Sequence, residues 1–401
     1  MLATFTDPAV PYTRRSFSPR YQEARRWLAS RFTAAGLQTH TDGGGNLIGT
    51  LRGTRANAAP IASGSHTDTV PGGGRFDGII GVLAGIEVAR SLRDGGVALR
   101  HPFEVIDFLA EEPSEYGVSC IGSRAIAGSL GADMLASTAP GGETLATGIA
   151  RMGGDPDVLA RPLRAANSVA AFFELHIEQG PVLEQRELPI GVVTDIVGIR
   201  RYELTFTGRA DHAGTTPMEL RSDALVAAAR FIEWASREAA RRHDDATYVV
   251  ATVGKLAIEP NASNVVPALA RLTIEVRSNA ELALDDFVAA LLERAQRIAA
   301  DSTTAVAAVE VSRSPATACA PELQGDISAA CDAAGLPYRV MPSGAGHDSV
   351  YMAKVGPIGM IFIPCRLGRS HAADEWSEPA QLLVGAQILR DAIVRCDERL
   401  G

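Results

Sequence analysis

The chain has 401 residues, of which 46% are apolar and 21% are charged, a composition typical of a globular enzyme long enough for two domains. Its formal charge of −9 at pH 7 and the lack of a long basic run argue against binding to nucleic acid or to an anionic membrane. The five cysteines are widely spaced without a Cys-x-x-Cys pair, and no apolar run has the length of a signal peptide or a membrane span, so we expect a cytoplasmic protein.

The first part of the chain alternates predicted helices and strands. An amphipathic helix is predicted over residues 18–35, because apolar residues recur at helical spacing and Gly36 ends the pattern. Two short strands follow within residues 38–51. A further strand leads through a glycine-rich loop into a helix over residues 78–92, and residues 103–109 predict a buried strand. This alternation predicts an α/β fold with a mostly parallel sheet covered by helices, whose natural site lies at the carboxyl ends of the strands.

The pattern changes after Ile190. Strands at 200–207, 247–257 and 270–277, with helices at 222–241 and 282–300, predict a compact α+β unit. The alternation of the first part resumes after Pro315 and ends in a helix over residues 378–395. We therefore expect a discontinuous first domain, made of residues 1–197 and 315–401, with a second domain inserted at residues 198–314.

Acidic residues and a histidine collect where the first predicted strands end. His66 and Asp68 close one strand, and Asp77 follows a turn whose glycines let the backbone approach a bound group closely. Glu111 and Glu112 close the next apolar strand. Adjacent carboxylates repel each other beside a low-dielectric core unless one of them binds a cation.

Two further histidines also lie in or shortly after predicted apolar strands. His176 lies in an apolar, strand-like segment, and His371 comes shortly after the apolar strand at 360–364. Each residue has an ordinary explanation on its own: a lone buried histidine is usually a hydrogen-bonded core residue, and paired glutamates often begin a solvated loop. Imidazoles and carboxylates at four strand ends together predict a divalent-metal site.

Seven strings of sequence carry a resemblance to a known family. They are GSHTDTVPGGGRFDGIIGVLAG, AEEPSEYGVSCIGSRAIAG, ELHIEQGPVLE, ADHAGTTPM, ASNVVP, SGAGHD and PCRLGRSH. With these strings, from about Tyr12 to the C-terminal helix, the chain resembles the hydantoinase/carbamoylase branch of the M20 metallopeptidase-like family. That branch contains N-carbamoyl-L-amino-acid hydrolases, β-ureidopropionases and allantoate amidohydrolases.

The resemblance implies two divalent metal ions per subunit. The implied ligands are His66, Asp77 and His176 for one ion and Asp77, Glu112 and His371 for the other, with Asp77 as the bridge. Glu111 matches the general base, and Asp68 matches the carboxylate that orients His66. The ions would be Zn²⁺ or Mn²⁺, with Co²⁺ or Ni²⁺ possible, because this ligand set accepts all four.

The resemblance also implies substrate contacts and a homodimer. The implied contacts are Gln179, His212, Asn264, Arg277, Gly344, Ala345, Gly346 and His347. His212 would reach across a dimer interface into the partner subunit's active site and stabilise the developing oxyanion. The first domain would then be catalytic, and the inserted domain would dimerise and act as a lid. Arg277 can hold a substrate carboxylate through a bidentate fork, and the alternative is a surface arginine paired with Glu275.

The implied activity is that of a binuclear-metal amidohydrolase, a metal-dependent hydrolase of linear C–N bonds. It would cleave the ureido bond of N-carbamoyl-L-amino acids and release amino acid, CO2 and ammonia. The alternatives are an allantoate amidohydrolase, a β-ureidopropionase, an M20-type peptidase or aminoacylase, and a non-catalytic binding protein. Tyr116, Met218 and Leu367, as apolar side chains near the site loops, favour a substrate with an amino-acid side chain.

Overall fold

The structure, a computed structural model, describes residues 1–55, 57–244 and 247–401. Within them the chain divides into two compact units, one formed by Met1–Thr194 with Ala318–Gly401 and the other by Asp195–Thr317. None of the helices in the described residues combines the length and the hydropathy that a membrane span requires.

The secondary structure alternates as the sequence predicts in the first unit. The strands are β1 (Gln38–Thr41), β2 (Leu47–Leu51), β3 (Ile61–His66), β4 (Phe103–Phe108), β5 (Ala171–Ile177), β6 (Ile190–Ile196), β7 (Gly198–Thr207), β8 (Asp211–His212), β9 (Val249–Glu259), β10 (Val265–Val266), β11 (Leu269–Ser278), β12 (Ala305–Ser314), β13 (Thr317–Ala318), β14 (Tyr338–Ser343) and β15 (Ile358–Ile363). The helices are α1 (Pro19–Ala34), α2 (Ile79–Asp94), α3 (Ile121–Ile126), α4 (Ala132–Leu135), α5 (Leu145–Arg151), α6 (Val182–Gln185), α7 (Ala224–Arg242), α8 (Glu281–Asp301), α9 (Pro321–Ala334), α10 (Ser349–Met352) and α11 (Pro379–Arg399).

The large sheet runs in the order β1-β2-β4-β3-β5-β15-β6-β13, with β14 paired to β6. Its four central strands, β4, β3, β5 and β15, are parallel, whereas β2 pairs with β4 and β6 pairs with β15 in antiparallel register. The predicted parallel arrangement is thus confirmed for the centre of the sheet. It brings the carboxyl ends of β3, β4, β5 and β15 to one edge.

Helices cover both faces of this sheet. Glu174 and Leu175 are neighbours on β5 and therefore point to opposite faces. Ser349 of α10 donates to Glu174 Oε2 at 2.5 Å on one face. On the other, a Cβ added to Gly385 of α11 would lie 3.1 Å from Leu175. Helix α2 packs against β3, β5 and α11, and it is apolar around most of its circumference because it is covered on both sides.

The second unit is built on an antiparallel sheet in the order β12-β7-β11-β9. Along β11, alternate residues such as Leu272, Ile274 and Val276 are buried, and the residues between them are more accessible. Helices α7 and α8 cover the buried face with Phe231 and Phe287. Strand β12, the outer strand on one side of this sheet, was not predicted from the sequence.

Candidate metal centre

The candidate ligands lie together at the carboxyl edge of the large sheet. His66 is the last residue of β3, and His176 is the next-to-last residue of β5. Glu111 and Glu112 follow β4, and His371 follows β15. Because the carboxyl ends of parallel strands meet at one edge, side chains that are far apart in the sequence come within contact distance.

The side chains form two groups of three that share one aspartate. His66, Asp77 and His176 form one group, and Asp77, Glu112 and His371 form the other; within each group the candidate ligand atoms lie within 4.8 Å of one another. Asp77 Oδ1 is 3.2 Å from His176 Nε2, and Asp77 Oδ2 is 2.9 Å from His371 Nε2. His371 Nε2 is also 3.3 Å from Glu112 Oε1. One oxygen of Asp77 therefore faces each group.

Hydrogen bonds to the backbone orient two of the imidazoles. His176 Nδ1 donates to its neighbour's carbonyl, Ile177 O, at 2.9 Å, and His66 Nδ1 donates to Asp68 O at 3.1 Å. A neutral imidazole that donates through Nδ1 carries its lone pair on Nε2. In both residues Nε2 is thus the atom that would bind a cation, and in His176 it accepts the backbone N–H of Gly78 at 3.1 Å.

Glycine is required at the start of the helix that follows Asp77. Gly78 has φ +68, and a Cβ at this position would lie 2.2 Å from Nε2 of His66. A larger residue would therefore strain the backbone and displace the imidazole.

Glu111 lies beside the first group. Its Oε2 is 3.6 Å from His66 Nε2, and its Oε1 accepts a hydrogen bond from Cys120 Sγ at 3.5 Å. Asp68 accepts the backbone N–H groups of Glu111 and Glu112, at 3.3 and 3.2 Å. Burial raises the pKa of Glu111 well above its usual range, His66 opposes that shift, and Glu112 adds to it.

The carboxylates of the cluster favour a positive charge beside them. Hydrogen bonds to Asp77 and Glu112 raise the pKa of His371 to about 10. Burial would raise the pKa of Asp77, but the hydrogen bond to His371 and the charge of His176 outweigh it and lower that pKa. The carboxylates therefore hold a proton on His371 to balance their charge. Three imidazoles and two carboxylates in this arrangement fit two divalent metal ions.

A third group, Glu174, His176 and His347, also has its ligand atoms within 4.8 Å of one another. However, the oxygens of Glu174 already accept hydroxyl groups from Ser65 and Ser349, at 2.8 and 2.5 Å. His347 Nε2 lies 2.8 Å from Ser343 Oγ. This group is accounted for by hydrogen bonds within the protein.

The loop predicted to contact substrate follows β14. It contains Gly344, Ala345, Gly346 and His347. Ser343 Oγ accepts the backbone N–H of Ala345 at 3.2 Å, which closes the turn. The ring of His347 stacks edge-on against His176 with 4.6 Å between centroids, and burial holds the pKa of His347 well below its usual value. The structure thus brings His347 next to the first ligand group.

Gln179 also lies at the ligands. Its Nε2 donates to both oxygens of Asp77, at 3.0 and 3.1 Å. Its Oε1 is buried and has no hydrogen-bond partner among the described residues. A buried acceptor of this kind is available to an N–H group of a ligand.

His212, Asn264 and Arg277 belong to the second unit. His212 and Val265 pair across β8 and β10, and Asn264 O accepts the backbone N–H of Ala213 at 3.0 Å. His212 and Asn264 are thus close to each other. His212 Nδ1 accepts the N–H groups of residues 214 and 215, at 3.0 and 3.2 Å, so its proton is on Nε2 and can be donated.

Arg277 is paired with Glu275, which was the alternative to a substrate-binding role. Its Nε and Nη2 donate to Glu275 Oε1, at 2.8 and 2.6 Å. Glu275 also accepts Arg201, and the pKa of Glu275 is lowered because these two arginines outweigh the effect of burial. A substrate carboxylate that used the same nitrogens of Arg277 would compete with Glu275.

The expectation that Tyr116 reaches toward substrate is wrong. Tyr116 is buried, stacks edge-on against Phe17 with 5.0 Å between centroids, and donates through its hydroxyl to Glu143 at 2.5 Å. Met218 and Leu367 are exposed by 73% and 71%. Tyr116 therefore belongs to a peripheral core and is not available to a ligand.

Three side chains that contact the predicted residues were not predicted from the sequence. They are Cys120 beside Glu111, Ser370 beside Asp77, and Glu375 beneath the turn that carries Asp77. Ser370 and Glu375 flank His371 in the sequence, which is the signal that could have drawn attention to them. Cys120 carried no comparable signal.

The chain is similar to several known proteins in sequence and in structure. Residues 62–395 match the model of peptidase family M20/M25/M40. An N-carbamoyl-L-amino acid amidohydrolase of Geobacillus stearothermophilus is 38% identical over 382 residues, covering 95% of this chain and 92% of that protein. Allantoate amidohydrolase of Escherichia coli strain K12 is 35% identical over 385 residues, covering 96% and 92%. A hydantoinase/carbamoylase family amidase of Burkholderia multivorans has a crystal structure with a TM-score of 0.92 and 36% identity, covering 98% of this chain and 95% of that one.

Proposed function

The chain belongs to peptidase family M20/M25/M40, in the hydantoinase/carbamoylase branch, and is a hydrolase of amide C–N bonds; on that premise we propose that it cleaves N-carbamoyl-L-amino acids. The products would be the amino acid, CO2 and ammonia. The observation that carries the proposal is the pair of ligand groups that share Asp77, with Glu111 beside them.

We assign the metal ligands residue by residue. His66, Asp77 and His176 would hold one divalent ion, and Asp77, Glu112 and His371 the other. Bound there, the ions would polarise the carbonyl of the substrate and lower the pKa of a water molecule. Asp68 would support the site, because its backbone carbonyl accepts His66 Nδ1 and its carboxylate accepts the backbone N–H groups of both glutamates.

Glu111 is the proposed general base. It would take a proton from the attacking water and return it to the leaving nitrogen. Its partly buried position beside His66 supports this role, because a carboxylate whose pKa is raised above its usual range is a stronger base.

The remaining predicted residues are assigned to substrate. Gln179 offers its buried Oε1 to an N–H of the ureido group, and residues 344–347 would close the pocket. His212, with its proton on Nε2, would stabilise the developing oxyanion from the partner subunit. Asn264 and Arg277 would hold the substrate carboxylate, and Arg277 would exchange its contact with Glu275 for that carboxylate.

We further propose that the unit Asp195–Thr317 mediates a homodimer and covers the site, and that the other unit is catalytic. Strand β12 supports the dimer. It is the outer strand of its sheet, and its Val309 and Val311 are exposed by 62% and 56%. An exposed apolar edge strand is a template for pairing with a second chain.

The substrate is tested by ammonia release from purified protein that has been stripped with a chelator and reloaded with Mn²⁺ or Zn²⁺. The panel is N-carbamoyl-L-amino acids, N-carbamoyl-β-alanine and allantoate. We expect metal-dependent release from the N-carbamoyl-L-amino acids, because the Geobacillus relative carries that name. Preference for allantoate or N-carbamoyl-β-alanine would keep the mechanism and replace the substrate, and no release from any of them would reject the proposal.

A further inference from the structure

The loops that carry Asp77 and His371 meet at one buried carboxylate, Glu375. Glu375 Oε1 accepts the backbone N–H groups of Arg75, Phe76 and Asp77, at 2.8, 2.7 and 3.2 Å. A carboxylate oxygen that accepts three successive N–H groups fixes the backbone of the turn that presents them. The backbone of Asp77 is therefore fixed by its hydrogen bond to Glu375.

The second oxygen of Glu375 reaches the same aspartate through a hydroxyl group. Glu375 Oε2 lies 2.9 Å from Ser370 Oγ, and Ser370 Oγ lies 2.9 Å from Asp77 Oδ2. That oxygen of Asp77 is also the one that contacts His371. Glu375 thus constrains both the backbone and the side chain of Asp77, although it is not a member of the ligand groups found in the described residues.

The fit of Glu375 against the turn is close. Gly74 has φ +100, and a Cβ on it would lie 2.4 Å from the carboxyl carbon of Glu375. Glycine is the residue that tolerates this φ and leaves room for the carboxylate.

Stacking interactions hold the neighbouring residue, Trp376. The guanidinium carbon of Arg75 lies 4.5 Å from the centroid of Trp376 and 5.0 Å from that of Tyr12. Phe76 packs edge-on against Trp376 with 5.7 Å between centroids. These contacts join the chain around Glu375 to the turn before Asp77 and present the carboxylate in one orientation.

We propose that Glu375 is a positioning residue of the metal centre, which orients the shared ligand Asp77 and couples its loop to the loop of His371. The inference rests on the proposed metal-dependent function, since it concerns how the ligands of that centre are held. Without Glu375 the two loops would be held less firmly to each other, and both ligand groups would bind metal more weakly because they share Asp77.

The test compares Glu375→Ala with Glu375→Gln in the full chain. Alanine removes every contact of the carboxylate, whereas glutamine keeps an oxygen for the three N–H groups and an amide that can donate to Ser370. Co²⁺ is titrated into the chelated proteins while its visible absorption spectrum is recorded, and circular dichroism of the metal-free proteins reports folding. The spectrum reports the ligand geometry, which a purely structural contribution to stability would leave unchanged.

We expect the wild type to bind two Co²⁺ ions and Glu375→Ala to bind them about 10- to 100-fold more weakly with an altered spectrum. Glu375→Gln should recover most of the affinity and the wild-type spectrum. A folded Glu375→Ala protein with wild-type affinity and spectrum would overturn the inference. A wild type that binds no Co²⁺ would overturn the proposed function, and this inference with it, so the two failures are distinguishable.

A second variant and a matched control complete the test. If Glu375→Ala does not fold, Ser370→Ala removes the single hydroxyl between Glu375 and Asp77, and unchanged Co²⁺ binding by that variant would overturn the inference. The control is Asp397→Asn, another buried carboxylate, which accepts the N–H groups of Arg100 and His101, both at 2.9 Å. Arg100 and His101 precede β4, whereas the proposed ligand Glu112 follows the other end of that strand. We therefore expect Asp397→Asn to have lower stability and unchanged Co²⁺ binding.

Discussion

At the scale of single residues, Glu111 is the side chain on which the proposed chemistry depends most directly. Glu111→Gln keeps the shape of the side chain but removes the base, so we expect kcat to fall about 10²- to 10⁴-fold. The variant should still bind two metal ions, because Glu111 is in neither proposed ligand group. Initial rates of ammonia release and metal analysis check both points, with Asp397→Asn as the active control. A variant that kept wild-type kcat would require a different base.

Tyr116 gives a prediction about stability. Tyr116→Phe removes a partly buried hydroxyl that donates to the Glu143 carboxylate, which should lower the free energy of unfolding by about 1 kcal/mol. Urea denaturation measures this loss. KM for the best substrate should not change, and a large rise in KM with unchanged stability would place Tyr116 at the substrate after all.

The same residue predicts a pH dependence. Burial, together with the hydrogen bond to Glu143, raises the pKa of Tyr116 to about 12. A tyrosine in the unfolded chain titrates near 10. Between these values the folded protein retains a proton that the unfolded chain releases, so this stabilisation is complete below about pH 10 and is lost as the pH rises toward 12. Denaturation of wild type and Tyr116→Phe at pH 8 and pH 11 should show a smaller alkaline loss in the variant.

The residues differ in how far the sequence could identify them. The proposed ligands were recognisable because His66, His176 and the glutamates end apolar strands, and the motifs around them are long. Glu375 was missed because its nearness to His371 in the sequence does not show its role, which is to accept backbone N–H groups some 300 residues earlier in the chain. Tyr116 was wrongly predicted to reach the substrate because it lies only four residues after Glu112 in the sequence. In the structure its ring packs against Phe17 instead.

At the scale of elements, the turn between β3 and α2 determines where His66 can lie. Gly78→Ala would place a Cβ 2.2 Å from His66 Nε2 at a backbone position with φ +68. We expect weaker metal binding and a large fall in kcat, both of which the Co²⁺ titration and the ammonia assay measure. Gly96→Ala is the control, because Gly96 has φ +65 but its Cβ would meet nothing within 4 Å. Equal effects of the two substitutions would show that backbone strain, and not the contact with His66, is responsible.

Strand β12 shows where element prediction failed. Its sequence, Ala-Val-Ala-Ala-Val-Glu-Val-Ser-Arg-Ser, is rich in alanine, and nearly all of the strand is exposed, so it lacks the alternation that marks half-buried strands. It forms because β7 offers a long antiparallel partner from Ile199 to Thr207. The central strands β5 and β15 were predicted because they are mainly apolar, as expected for a sheet buried on both faces.

At the scale of the whole molecule, the proposed dimer can be tested at β12. Lysine substitutions at Val309 and Val311 would place charges on the exposed edge, and we expect them to shift the protein from dimer to monomer in sedimentation velocity. Leu282→Lys is the control, because Leu282 is 82% exposed on α8. A dimer that persists in the double variant would place the interface elsewhere.

Metal removal should act on one unit of the molecule. All five proposed ligands lie in the unit that contains the large sheet, so chelation should lower its unfolding temperature and leave that of Asp195–Thr317 in place. At a metal concentration of about 100 times Kd, each site contributes about 2.7 kcal/mol. Calorimetry of the chelated and reloaded protein measures the separation of the two transitions. A uniform shift of the whole profile would contradict this assignment.

The position of β15 in the sheet has a consequence for how the protein is made. β15 lies between β5 and β6, yet it is encoded more than 150 residues after either of them. On the ribosome, Asp195–Thr317 emerges complete and can fold while the large sheet still has a gap at its centre. Every nascent chain must keep the edges of β5 and β6 from pairing wrongly until its last quarter has been translated. Ribosomal pausing at any point between the synthesis of β6 and that of β15, the inserted segment included, would prolong that vulnerable state.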